Sequence, residues 1–253
     1  MNGFETIQVE TDAEGVATLT LNRPDKHHAM NARMIGELTE AAAALGADAG
    51  VRAVVLASTG PSFCAGGDLE WMRAQQAADR AGKIAEAGRL SAMLAALNAL
   101  PKPLIARVQG NVYGGGVGLV AVSDVAIGAE GIRLALTETR LGLIPATIGP
   151  FVVRRMGQGM ARQVFFSGSA FGPEFALRAG LLHEVCAADE LDARVRRQAE
   201  AVLKAAPGAV AAAKALCLGL GEDEEADIRT SIAALAERWE SDETQERIRA
   251  FLG

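Results

Sequence analysis

The chain opens on an alternation of apolar and polar residues. Ile7-Gln8-Val9-Glu10 and Val16-Ala17-Thr18-Leu19-Thr20-Leu21 both have period two, and the polar stretch Asp12-Ala13-Glu14-Gly15 between them predicts a hairpin. Asn22-Arg23-Pro24-Asp25-Lys26 ends that pattern. The period then lengthens. Met34, Ile35, Leu38, Ala42 and Leu45 recur at helical spacing behind Asn31, a residue type that caps helix starts. A strand over 51–57 follows, then a helix over about 83–100 that Pro101 and Pro103 stop, then a strand over 104–108. Residues 117–122 read as an apolar helix and 125–128 as a strand. Strand, helix, strand at this spacing predicts right-handed crossovers and a largely parallel sheet. From about Asp189 onward the pattern is helical, broken at Pro207 and at Gly219-Leu220-Gly221. The expected organisation is an α/β core over 1–190 and a helical region over 191–253, packed on that core or on a partner subunit.

Two of the strand-like runs feed into glycine clusters. Val54-Val55-Leu56-Ala57 leads to Phe63-Cys64-Ala65-Gly66-Gly67-Asp68, and the 104–108 run leads to Gln109-Gly110-Asn111-Val112-Tyr113-Gly114-Gly115-Gly116-Val117-Gly118. A glycine turn entering a helix leaves backbone N–H groups unpaired, where negative charge is favoured. Two such turns converging from separate segments would hold one developing oxyanion without a side-chain nucleophile. Gly116-Val117-Gly118-Leu119-Val120-Ala121 also fits the dinucleotide pattern G-x-G-x-x-A, with Glu138 as the following acid. That fit is weak, because such a turn follows the first strand of its domain and here at least three strands precede it. No G-x-x-x-x-G-K-[ST] or G-x-S-x-G occurs, and His27, His28 and His183 have no Ser or Cys partner nearby in sequence.

Composition narrows the class. The 253 residues suffice for one large core; half are hydrophobic but only 4% aromatic, which favours closely packed helices over an all-β fold. A net charge of −6 argues against nucleic acid or an anionic membrane as partner. Cys64, Cys186 and Cys217 are odd in number and lack metal-ligand spacing, so free thiols in a reducing compartment are expected. With no basic, apolar leader at the N-terminus and no bilayer-length apolar run, the expected location is the cytoplasm. Glu138 is the carboxylate of interest. It lies in Leu134-Ala135-Leu136-Thr137-Glu138-Thr139-Arg140-Leu141-Gly142-Leu143-Ile144-Pro145, where apolar surroundings would raise its pKa and suit it to proton transfer. The alternative is a salt bridge to Arg133 or Arg140.

Phe63-Cys64-Ala65-Gly66-Gly67-Asp68-Leu69, Gly110 through Gly118, and Leu136-Thr137-Glu138 with Leu141-Gly142-Leu143-Ile144-Pro145 together resemble the enoyl-CoA hydratase/isomerase (crotonase) superfamily. The likeness extends from Leu21-Asn22-Arg23-Pro24 to Ala179-Gly180-Leu181-Leu182. The resemblance implies a spiral of ββα turns with a helical C-terminal region, assembled as a homotrimer or a dimer of trimers, and an acyl-CoA thioester as substrate. Coenzyme A is then part of the substrate and no separate cofactor is implied. Carried over by motif, Gly67 and Gly115 supply the oxyanion N–H groups and Glu138 the proton. Lys26, His27, Ala65 and Asp68 fall where the family binds coenzyme A. Trp71, Tyr113 and Gly114 adjoin the acyl site, with core packing as the alternative for Trp71. A second glutamate common in the family's hydratases would fall at 118, where this chain has Gly118. One carboxylate points toward a Δ3,Δ2-enoyl-CoA isomerase. Finer likeness over Asp68-Leu69-Glu70-Trp71-Met72-Arg73, Gly114 to Leu119 and Leu143 to Pro150 is to bacterial methylglutaconyl-CoA hydratases, where that glycine is usual. Such a substrate carries a second carboxylate, with Arg73 and Arg140 as candidate cations. A relative that binds acyl-CoA without turnover is the remaining alternative.

Overall fold

A computed structural model describes residues 3–219 and 224–253. Strands β1 (Ile7–Thr11) and β2 (Val16–Leu21) form the expected antiparallel hairpin, with Ile7 opposite Leu21. To β2 the chain adds β3 (Ala53–Ser58), β5 (Leu104–Val108), β7 (Val125–Ala129) and β9 (Glu184–Cys186), each parallel to the last, giving the order β1-β2-β3-β5-β7-β9. Every residue of β3 is buried, as a strand covered on both faces requires.

Between these strands the chain makes short ones that belong to a second sheet: β4 (Ser62–Cys64), β6 (Asn111–Tyr113) and β8 (Leu134–Ala135), all parallel, in the order β4-β6-β8. β3 hands over to β4, β5 to β6 and β7 to β8, so the fold is a repeated strand–short strand–helix turn. It is mixed α/β with a parallel-dominated sheet, as the sequence predicts.

Helix α1 (Ala32–Ala47) starts where expected, the Asn31 side chain accepting from Met34 N at 2.9 Å, and buries Met34, Ile35, Leu38, Ala41, Ala42 and Leu45. Helices α2 (Leu69–Ala77) and α3 (Arg80–Asn98) follow the first glycine turn, and α4 (Gly115–Ala121) follows the second. Arg155 fixes the far end of α4 by donating to the carbonyls of Ala121 and Ser123, the orphan acceptors of a helix C-terminus. Arg155 belongs to α5 (Gly149–Ser167), which kinks at Gly157, and α6 (Pro173–Arg178) leads into β9.

Among the described residues, helices α7 (Leu191–Leu203), α8 (Pro207–Gly219), α9 (Glu224–Glu240) and α10 (Asp242–Leu252) follow. Pro207 opens α8. Of the expected break at 219–221, positions 220 and 221 lie outside the described residues. α7 packs across β3, β5 and β7, while α9 packs on α3 and α10 on α2. Among the described residues no single helix is long and apolar enough to cross a membrane.

Candidate functional site

The three parallel strands β4, β6 and β8 end side by side, and each delivers one sequence motif to the same place: Gly66-Gly67 after β4, Gly114-Gly115 after β6, Glu138 after β8. The crevice at the carboxyl ends of parallel strands is where α/β folds bind ligands. The turns touch. A Cβ built on Gly66 would lie 3.1 Å from the Tyr113 carbonyl oxygen, and one built on Gly114 would lie 3.7 Å from Gly66 Cα and 3.4 Å from Glu138 Oε1. Gly66 has φ +89° and Gly114 φ +48°, so these positions need glycine for conformation as well as space.

Segment 27–30 runs beside the first turn and holds it. Ala65 N donates to His27 O, Met30 N to Gly66 O and Asp68 N to Met30 O, at 2.9, 2.7 and 2.9 Å. The N–H groups of Gly67 and Gly115 are left without a hydrogen-bond acceptor among the described residues, and Gly67 is exposed. A Cβ on Gly115 would meet Met30 Cε at 2.2 Å, and one on Gly67 would meet the Trp71 ring at 3.6 Å.

Glu138 opens a short 3-10 turn, Glu138–Leu141. The turn is tied on three sides: Leu143 N donates to Glu138 O, Thr139 Oγ1 to Phe165 O and Thr244 Oγ1 to Gly142 O, at 3.0, 3.0 and 2.7 Å. Glu138 Oε2 is buried with no hydrogen-bond partner among the described residues. Burial pushes the carboxyl from the ordinary 4.5 up to about 7, with only Glu138's own backbone N–H opposing. Of the two readings open to the sequence, the apolar one holds. No ion pair to Arg133 or Arg140 is made: Arg140 is exposed, with its Nε 3.4 Å from Ser167 O.

Asp68, a sequence candidate for coenzyme A contact, spends its carboxylate inside the protein. Oδ1 accepts from Glu70 N and Trp71 N, capping α2, and Oδ2 pairs with Arg23 at 2.9 Å. Burial opposes ionisation there, but the Arg23 bonds and the two N–H donors outweigh it and hold the pKa below the usual range. Lys26 and His27 are exposed on the rim beside half-buried Ala65, and His27 Nδ1 lies 3.0 Å from Ser62 Oγ. Tyr113 is half-buried at the end of β6. Trp71 is half-buried, its Nε1 donating to Glu86 Oε2 at 3.2 Å. Arg73 is exposed and donates to Leu252 O, so neither candidate arginine is held free for a ligand at the turns.

Other groups near the turns are out of play. The Cys64 thiol is fully buried and pushed up to about 12, and His28 is buried with Nδ1 accepting from Arg23 N, its pKa lowered by burial. The dinucleotide pattern fails, because Gly116 and Gly118 lie inside α4 and not in a turn. They serve packing. A Cβ on Gly116 would meet Cys64 Cβ at 2.8 Å, and one on Gly118 would meet Ile148 Cγ2 at 2.7 Å and Leu94 Cδ1 at 3.1 Å. Among the described residues no cluster of His, Cys, Asp or Glu is placed to hold a metal.

Fold and site together define a protein in which two glycine turns and one neutral-poised carboxyl share the end of a short parallel sheet. A family model described as enoyl-CoA hydratase/isomerase matches residues 11–253, and the chain belongs to that family. It is similar to 2,3-dehydroadipyl-CoA hydratase of Escherichia coli, 30% identical over 233 residues, which are 89% of each chain. Among solved structures it resembles an enoyl-CoA hydratase from Shewanella pealeana at 34% identity and TM-score 0.83, covering 98% of this chain and 93% of that one. It also resembles Pseudomonas aeruginosa AtuE at 40% identity and TM-score 0.83, covering 98% and 96%.

Proposed function

We propose that this chain is a hydratase that adds water across the double bond of a 2-enoyl-CoA thioester. The observation that carries the reading is the Glu138 carboxyl, its Oε2 buried and unpartnered, beside two glycine N–H groups that have no acceptor among the described residues. In this reading the N–H groups of Gly67 and Gly115 donate to the thioester oxygen and stabilise the enolate charge that develops there, each donor contributing roughly 3 kcal/mol. Glu138 takes a proton from water as the water oxygen bonds to the β-carbon. It then delivers that proton to the α-carbon, so the one carboxylate ends as it began. In this reading Lys26 and His27, both exposed, contact the coenzyme A portion. The hydratase names of the relatives support this direction.

Gly118 favours a second reading. With Ile148 and Leu94 closed over it, the position offers no room for another carboxylate. A lone Glu138 suits Δ3,Δ2-enoyl-CoA isomerisation, in which one carboxylate lifts a proton from C2 and returns it to C4. The finer likeness to methylglutaconyl-CoA hydratases supports hydration and a branched, carboxylated acyl group. The test follows the absorbance of the conjugated thioester. Crotonyl-CoA or 3-methylglutaconyl-CoA should lose absorbance with purified protein, while a 3-enoyl-CoA that gains it would establish the isomerase instead. Coenzyme A affinity without either change, unaffected by Glu138→Gln, would point to a non-catalytic binder.

A further inference from the structure

His28 has no ring nitrogen free for a ligand, because the backbone engages both. Nδ1 accepts from Arg23 N at 3.0 Å, and Nε2 lies 2.6 Å from Thr59 O. Arg23 N can only donate and Thr59 O can only accept, so one form of the ring satisfies both: the neutral one with its proton on Nε2. The residue is fully buried, at 0% exposure. His27 and His28 are also the only non-glycine residues among those described with positive φ, +48° and +55°. Such outliers persist where the surroundings fix them, and they cluster at functional sites.

What the ring fixes is the segment that holds the glycine turns. His27 O accepts from Ala65 N and His28 O from the Cys64 thiol. Met30 forms a parallel bridge with Gly67, and its Cε packs against Gly115. One short segment therefore touches both glycines whose N–H groups have no acceptor among the described residues. Arg23 completes the link. Its backbone N–H meets the ring, while its guanidinium donates to Ala29 O and pairs with Asp68, the residue after Gly67. A proton added at Nδ1 would set one N–H against another and place a buried charge beside the guanidinium. We infer that His28 is a positioning residue for the Gly67 N–H and acts only as the neutral ring, which puts the oxyanion turn under a proton control separate from that of Glu138. The inference rests on the oxyanion reading of the turns. Burial is the largest cause lowering the ring's pKa from 6.5; the Thr59 bond and Asp25 oppose it, and His27 and Arg23 add to it. The other groups facing the segment keep their charge in that range. The Cys64 thiol is pushed up to about 12, Asp68 is held below the usual carboxylate range, and Thr59 and Ser62 are neutral.

The test uses the intact chain with acetoacetyl-CoA and crotonyl-CoA as probes. Acetoacetyl-CoA loses a proton to give an enolate that absorbs in the near ultraviolet, so its bound absorbance reads the N–H donors without turnover. In alkaline buffer wild type should raise the enolate-to-ketone ratio on binding. His28→Ala should lower that bound ratio by roughly 10- to 100-fold, short of losing a donor outright. His28→Asn should restore most of it, because Asn offers an acceptor near the Nδ1 position and tolerates positive φ. With crotonyl-CoA, log kcat/KM should fall in acid with slope one as Glu138 takes up its proton, then with slope two below 6.5 as His28 does. His28→Asn should keep slope one throughout. Thermal melts accompany each variant; if His28→Ala does not fold, the slope of His28→Asn decides. An enolate ratio unchanged in His28→Ala, or an acid limb of the same slope in wild type and His28→Asn, overturns the positioning role and leaves the proposed function standing. A wild type that raises the enolate ratio but hydrates nothing refutes the hydratase, and the enolate arm then decides for His28. A wild type that binds acetoacetyl-CoA without raising the ratio refutes the oxyanion reading and the inference together.

Discussion

In the proposed reaction Glu138 is the one carboxyl that moves protons, and its environment makes the consequences measurable. Replacing Glu138 by Gln keeps shape and removes proton transfer, so kcat should fall by roughly 10²- to 10⁴-fold with coenzyme A affinity little changed. In wild type kcat/KM should rise with pH through about 7, as the carboxyl ionises. Stability should move the other way. Because the folded pKa lies above the unfolded value, the folded state holds the proton more tightly, and stability falls as pH rises from 4.5 to about 7. Above that range the full cost, about 3 kcal/mol, is present. Thermal melts of Glu138→Gln should therefore exceed wild type in alkaline buffer and converge with it in acid. Asp68 has the opposite sign: its ionised form is held in place by Arg23, and that contribution is present above the ordinary carboxylate range and lost as pH falls below it.

At the scale of elements, α2 and α4 decide what the glycine turns present. Asp68→Ala removes the α2 cap and leaves Arg23 without its carboxylate, and a loss of about 1–3 kcal/mol is expected in denaturant unfolding. Activity should fall with it, since Asp68 follows Gly67 directly. α4 is closed from above. Gly118→Ala should cost about 1–3 kcal/mol because its Cβ runs into Ile148. Gly118→Glu, which restores a carboxylate on paper, should lower the melting temperature without raising kcat for crotonyl-CoA. These elements were unequally visible in the sequence. α1 and the first hairpin could be read from period and cap. β4, β6 and β8 have three residues or fewer, too short for any period to register, although they align the site. α2 was hidden because its hydrophobic pattern is weak, with Gln75 its one buried residue.

Across the whole molecule, the C-terminal helices return to support the Glu138 turn. Trp239 and Ile248 pack with Leu143 in a small cluster separate from the main core, and Thr244 reaches Gly142. Thr244→Val should cost about 1 kcal/mol and lower kcat more than it changes KM, because the turn that aims Glu138 loosens. Ile248→Ala should cost about 2–5 kcal/mol in thermal or denaturant melts. The sequence alone determined the mixed α/β class, the two glycine turns, the one carboxylate in an apolar stretch and the family likeness, because each is a local pattern of residue types. Only the tertiary structure decided which groups stay unpaired. Among the described residues it left Glu138 Oε2 and the Gly67 and Gly115 N–H groups without partners, engaged Asp68 with Arg23, and filled the space over Gly118 with Ile148. It also paired Trp71 with Glu86. Partnering depends on segments far apart in the chain, and no local pattern records it.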